Sequence, residues 1–208
     1  MHPVLKEALE RSPVIPVLVI PEISMAAPLA EALASGGLTV FEITLRTECA
    51  LDAMVAMKKA VPHALIGAGT VTNTRRMSDA KEYGADFVVS PGSTCELWAA
   101  SEVNQIPVLP GFSTASEAMR LMELGSPCGK FFPAEASGGV EYLKSLSGPL
   151  PQFSICPTGG IKADTASNYL ACPNVVCVGG SWIAPADLLA AGDYSEIEER
   201  ARHATSLV

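Results

Sequence analysis

The sequence predicts an α/β protein, and within that class a (β/α)8 barrel formed as one domain over residues 1–208 with a short helix in front. Three observations predict it. Short apolar, β-branched runs recur along the chain at roughly 20–25-residue intervals, the length that one strand plus one helix needs. The stretches between them carry apolar residues at helical spacing. No linker, low-complexity tract or change in composition divides the 208 residues. A doubly wound open sheet is the rival architecture, and it would need fewer strands and a longer polar edge.

Taken in order, MHPVLKEALERS opens the chain as a polar helix rather than as a secretory leader. The strand candidates follow as VIPVLVI (14–20), TVFEITL (39–45), ALIGAGTV (64–71), FVVSPG (87–92), PVLPGF (107–112), KFFPAE (130–135), FSICPTGG (153–160) and NVVCVGGSW (174–182). Helical patterning lies between them in segments such as AAPLAEALASGG, CALDAMVAMKKAV and TASEAMRLMELG. Met54, Met57, Met119 and Met122 follow that helical spacing and read as core.

Composition narrows the function classes. The formal charge of −8 disfavours nucleic acid and anionic membranes as partners. No apolar stretch approaches the roughly 20 residues that a membrane-spanning helix requires. Cys49, Cys95, Cys128, Cys156, Cys172 and Cys177 form no C-x-x-C pair, which fits reduced thiols in a cytoplasmic protein better than a disulfide framework or a zinc site. His2, His63 and His203 are scattered, no two at metal-ligand spacing, and read as surface residues, so no metal is expected. GAGTVTN lacks the third glycine of a dinucleotide fingerprint, and no cofactor is expected.

In a barrel of this kind the chemistry gathers where strands end and loops begin. Strand alternation sets Phe41, Ile43 and Leu45 toward the helices and Glu42, Thr44 and Arg46 toward the lumen. A carboxylate and a guanidinium facing inward need partners, and a structural Glu–Arg pair is the simplest account of the strand alone. Lys130, opening KFFPAE, would share the lumen with them, on one face with Phe132 and Ala134. An unperturbed lysine offers only about one free amine in 10³ at neutral pH. Burial beside a cation weakens its hold on the proton and makes it a usable nucleophile.

GAGT and SPG supply small residues at the rim, with Thr70 as a hydroxyl and Pro91 and Pro110 stiffening loops. Gly67 and Gly69 read as tight strand–helix packing. The last two strand candidates end in CPTGGI and VGGSW, adjacent turns that suit an anion. Gly159, Gly160, Gly179 and Gly180 can turn backbone N–H groups toward a phosphate, with the dipole of a following helix, and Ser181 adds a hydroxyl. Thr158 faces the lumen just below, and Lys162 is the one cation nearby in sequence.

Together EITLRTECA, GAGTV, SPG, KFFPAEASGG, CPTGGI and GGSW closely resemble the 2-keto-3-deoxy-6-phosphogluconate (KDPG) aldolases, a family that includes enzymes acting on 4-hydroxy-2-oxoglutarate. The motifs run in family order over nearly the whole chain. The resemblance implies a class I aldolase with Lys130 as Schiff-base lysine and Glu42 as general acid/base. It implies Arg46 and Thr70 at the substrate carboxylate, and Pro91, Phe132 and Thr158 along the substrate pocket. Gly159, Gly160, Gly179, Gly180 and Ser181 fall at the phosphate. It further implies a homotrimer needing no metal, acting on a phosphorylated 2-keto-3-deoxy sugar acid and releasing pyruvate. The galactonate-derived epimer, 4-hydroxy-2-oxoglutarate, a non-catalytic phosphosugar-binding barrel and a phosphate-dependent isomerase are the competing expectations.

Overall fold

In the computed structural model, which describes residues 1–207, parallel strands alternate with helices. Helix α1 (Pro3–Glu10) precedes β1 (Val14–Leu18), α2 (Ala26–Ser35), β2 (Val40–Thr44) and α3 (Ala50–Ala60). There follow β3 (Leu65–Gly69), α4 (Thr74–Glu82), β4 (Phe87–Val89), α5 (Cys95–Asn104), β5 (Val108–Leu109) and β6 (Gly111–Phe112). The chain continues through α6 (Ala115–Glu123), β7 (Cys128–Phe131), α7 (Gly139–Ser147) and β8 (Ser154–Pro157). It ends with α8 (Ala166–Leu170), β9 (Val178–Gly180), α9 (Ala186–Ala191) and α10 (Tyr194–Thr205).

Regular pairing, all parallel, forms a six-stranded sheet in the order β5-β4-β3-β2-β1-β9 and a three-stranded sheet β6-β7-β8. The expected strand at 107–112 is split at Pro110, which has no N–H to give a ladder. Its carbonyl still accepts from Lys130 N at 2.8 Å, so the interruption does not loosen β7. Hydrogen bonds also cross between the sheets. Gly111 N donates to Gly92 O at 3.2 Å, and Thr158 forms a parallel bridge with Gly179.

Strand alternation sorts side chains into two layers. Phe41 and Ile43 join the large cluster under the helices with Leu18, Ile66, Ala68 and Phe131. Val40, on the Glu42 face, belongs to a second cluster with Ile15, Phe87, Val89, Leu109, Cys128, Cys156 and Cys177. Leu5, Ala8 and Leu9 of α1 pack into that second cluster. Lys130 and Glu42 each stand two residues beyond a member of it, so they form the next layer toward the strand C-termini.

Three expectations need correction. The sixth strand candidate begins at Cys128 and ends at Phe131, so Lys130 is its third residue and not its opening one. Gly179 and Gly180 lie within β9 rather than in a turn. Met54 and Met57 are buried, but Met119 is half exposed on α6, whose buried residues are Ala118 and Leu121. The cysteines are all free, with Cys128, Cys156, Cys172 and Cys177 buried. No helix among the described residues is long and apolar enough to cross a membrane.

Candidate functional site

Lys130 and Glu42 meet in the layer above that second cluster. Lys130 Nζ donates to Glu42 Oε1 at 3.0 Å and to Oε2 at 3.2 Å, and the two side chains are only 6% and 5% exposed. Parallel register brings them there. Glu42 lies beside Val17 on one flank and Gly67 on the other, while Lys130 lies between Gly111 and Cys156. Lys130 Nζ also lies 5.5 Å from the centroid of the Phe132 ring, over a face that attracts cations. Phe132 is half-buried just past β7.

Of the two charges that strand alternation set toward Lys130, the structure brings the Glu42 carboxylate to it and not the Arg46 guanidinium. Arg46 stands two residues beyond the end of β2 with an exposed side chain, and its Nε donates to Thr70 Oγ1 at 3.1 Å. Thr70 adopts φ 61, a left-handed conformation that costs a β-branched residue strain. Arg76 donates to the Thr70 carbonyl at 3.0 Å and helps to hold it. The Arg46–Thr70 pair thus presents a hydroxyl and a planar donor fork at the strand ends, a shape suited to a carboxylate.

Gly67 and Gly69 face Phe87 and Glu42 rather than the helices. A side chain at Gly67 would collide with the Phe87 ring, and one at Gly69 with the Glu42 carboxylate. Pro91 is half-buried, and its backbone lies where a Gly111 side chain would be. Small residues there let the β4 loop close directly onto β6.

The glycine segments divide by role. Gly159 and Gly160 take φ values of 105 and 82, open only to glycine at low cost, and form the turn after β8. A Cβ on Gly159 would stand 3.2 Å from the Phe132 ring, which ties this turn to the Lys130 wall. Buried Thr158 leans on Gly179, and a Cβ on Gly180 would stand 2.5 Å from the Trp182 ring. The second pair of glycines is therefore explained by close approach, with Ser181 exposed just beyond it. Helix dipoles contribute less than expected. Helices α8 and α9 are short, with five and six residues, and start well past Gly160 and Ser181.

One contact escaped the sequence reading. Tyr169, buried on α8, donates to Glu135 Oε1 at 2.6 Å, and Glu135 N donates to the Gly159 carbonyl at 3.0 Å. Burial first, and then the Glu135 hydrogen bond, raise the phenol well above its ordinary range, so it remains a donor. The Glu of KFFPAE was the available signal. A cavity of about 670 Å³ lies elsewhere, between α1, α5 and the segment before β7, and includes His2, Trp98, Glu102 and Pro127 but none of the candidate residues. No group of His, Cys, Asp and Glu able to hold a metal occurs among the described residues.

A buried amine in hydrogen-bond contact with a carboxylate can pass a proton to it, and the exposed Arg46–Thr70 pair offers donors to an anion. Residues 5–200 match the family described as KDPG and KHG aldolase. The chain is 50% identical over 196 residues to the KHG/KDPG aldolase of Escherichia coli, covering 94% of this chain and 92% of the relative. Among solved structures, a KDPG aldolase from Legionella pneumophila with pyruvate captured at low pH as a covalent carbinolamine superposes with a TM-score of 0.93 at 45% identity, covering 96% of this chain and 97% of that one. The aldolase of Zymomonas mobilis with 3-phosphoglycerate also gives 0.93, at 43% identity, covering 100% of this chain and 97% of the other.

Proposed function

Because the chain belongs to the KDPG and KHG aldolase family, we propose that it cleaves 2-keto-3-deoxy-6-phosphogluconate to pyruvate and glyceraldehyde 3-phosphate through a Schiff base on Lys130. The observation that carries this reading is the buried contact of 3.0 Å between Lys130 Nζ and Glu42 Oε1. A lysine that forms an imine must first lose a proton, and Glu42 is within direct reach to take it.

The amine then attacks the C2 ketone to give a carbinolamine, and Glu42 returns the proton to the departing hydroxyl, so that loss of water leaves an iminium as electron sink and Glu42 a carboxylate again. Glu42, directly or through one water, removes the C4 hydroxyl proton while the C3–C4 bond breaks. Glyceraldehyde 3-phosphate departs, and an enamine of pyruvate stays on Lys130. The Glu42 carboxyl returns a proton to C3, and hydrolysis frees pyruvate. One carboxyl group serves both directions. In this reading Arg46 and Thr70 hold the substrate carboxylate, and Pro91, Phe132 and Thr158 wall the chain. The Gly159–Gly160 turn, Gly179, Gly180 and Ser181 receive the phosphate, whose distance from the broken bond lets its binding energy position the reacting atoms.

We infer a single-domain (β/α)8 barrel over residues 1–208, supported by the hydrogen bonds that join the two sheets at Gly111 and Thr158. A cytoplasmic homotrimer is the corresponding proposal for location and assembly. 4-Hydroxy-2-oxoglutarate is the proposed second substrate, consistent with the name of the E. coli relative. The deciding experiment is borohydride reduction with pyruvate followed by peptide mapping. The adduct is expected on the Lys130 peptide and absent in Lys130→Ala; labelling that persists in the variant overturns the assignment.

A further inference from the structure

Gly69 ends β3 beside Glu42, and the parallel register pairs Glu42 with Gly67 and Thr44 with Gly69. The Glu42 side chain therefore leans two residues up the neighbouring strand, across the bare backbone of Gly69. A Cβ on Gly69 would collide with Glu42 Oε1 and stand 2.7 Å from Cγ and 2.9 Å from Cδ. Those three atoms are the nearest to it, so the space left by the missing side chain is filled by this one carboxylate arm. The backbone does not explain the glycine. Gly69 is absent from the positive-φ residues, so an alanine could take up its conformation. Gly67, one step lower on the same face, is a different case, since its space is filled by the apolar Phe87 ring.

We propose that Gly69 is a positioning residue that sets the Glu42 carboxylate against Lys130 Nζ. The proposal rests on the reading of Glu42 as the acid/base group. With a methyl group at 69, the cheapest relief is rotation of the Glu42 arm, because its end is flexible and the flanking strands are not. That rotation carries the carboxylate off Lys130 and away from the substrate hydroxyl, while the barrel wall stays intact. A glycine thereby governs the reaction without touching the substrate.

The test compares Gly69→Ala, Glu42→Gln and the double variant, with melting temperature recorded for each. Gly69→Ala is expected to lower kcat on KDPG by about 10²-fold, the loss expected when a positioned acid/base group is removed. The double variant should be no slower than Glu42→Gln alone. The pH profile of Gly69→Ala should match that of Glu42→Gln. Wild-type turnover in Gly69→Ala, with Glu42→Gln slow, overturns the positioning role and leaves the acid/base reading standing. Normal turnover in Glu42→Gln overturns both. Should Gly69→Ala fail to fold, Gly69→Ala/Glu42→Ala/Lys130→Met, which strands no buried charge, decides: folding of that variant identifies the carboxylate arm as the obstacle, and its failure to fold refutes the proposal.

Discussion

Lys130 and Glu42 stand 88 residues apart in the chain, yet Lys130 Nζ donates to both carboxylate oxygens within one buried layer. On the proposed mechanism, the carboxylate that meets the amine is also the group within reach of the proton the amine must give up before it attacks.

Glu42→Gln keeps the shape and removes the proposed base. It is expected to retain the borohydride-trapped pyruvate adduct and to turn over at least about 10²-fold more slowly. Steady-state kcat together with mass spectrometry checks both halves, and near-normal kcat would remove Glu42 from the mechanism.

Stability should respond to the pair unequally. Truncating one partner leaves a buried charge alone, with a cost on the order of 3–5 kcal/mol. Lys130→Met should approach that loss in urea unfolding at neutral pH. Lys130→Met/Glu42→Gln should lose clearly less, since neither charge is then stranded; equal losses would mean the pair is well solvated.

The anion end can be tested separately. Ser181→Ala is expected to raise KM for KDPG about tenfold, the scale of one hydrogen bond to a charged group. KM for 4-hydroxy-2-oxoglutarate should remain unchanged. An equal rise for both substrates would take Ser181 out of the phosphate contact.

Alkaline behaviour follows from the lower layer. Burial pushes the Cys128 thiol up from 9.0 to about 12, so the folded state holds a proton that the unfolded chain releases. Its contribution to stability is complete below pH 9 and declines from there to about pH 12, with a slope of at most about 1.4 kcal/mol per pH unit. Melting temperatures across that window should fall less steeply in Cys128→Ala than in the parent. Parallel curves would show that this thiol is not the source.

Much of this was readable because β2 is short and strictly alternating, so Glu42 and Phe41 declare opposite faces. Lys130 reads as the opening residue of its strand because Gly129, with no side chain, carries no strand signal before it. Gly129 is in fact a strand residue, its missing side chain taken up by Phe112 and Phe153 at 2.8 and 2.9 Å. The same blindness applied to Gly179, whose bareness is explained by Thr158 on the adjacent strand. Alternation reports a face but not a height. Height is set by register between neighbouring strands, which no local pattern encodes, so alternation put both Glu42 and Arg46 on the face shared with Lys130 and did not tell that Glu42 alone meets it.

Helix α1 lays Leu5, Ala8 and Leu9 against the strand layer below Lys130. On the proposed chemistry that packed apolar layer leaves the fragments to depart on the side of the strand C-termini, and pyruvate stays tethered to Lys130 after the aldehyde has gone. Release is then ordered by the covalent bond, and glyceraldehyde 3-phosphate returning early would meet an enamine ready to rebuild the sugar acid.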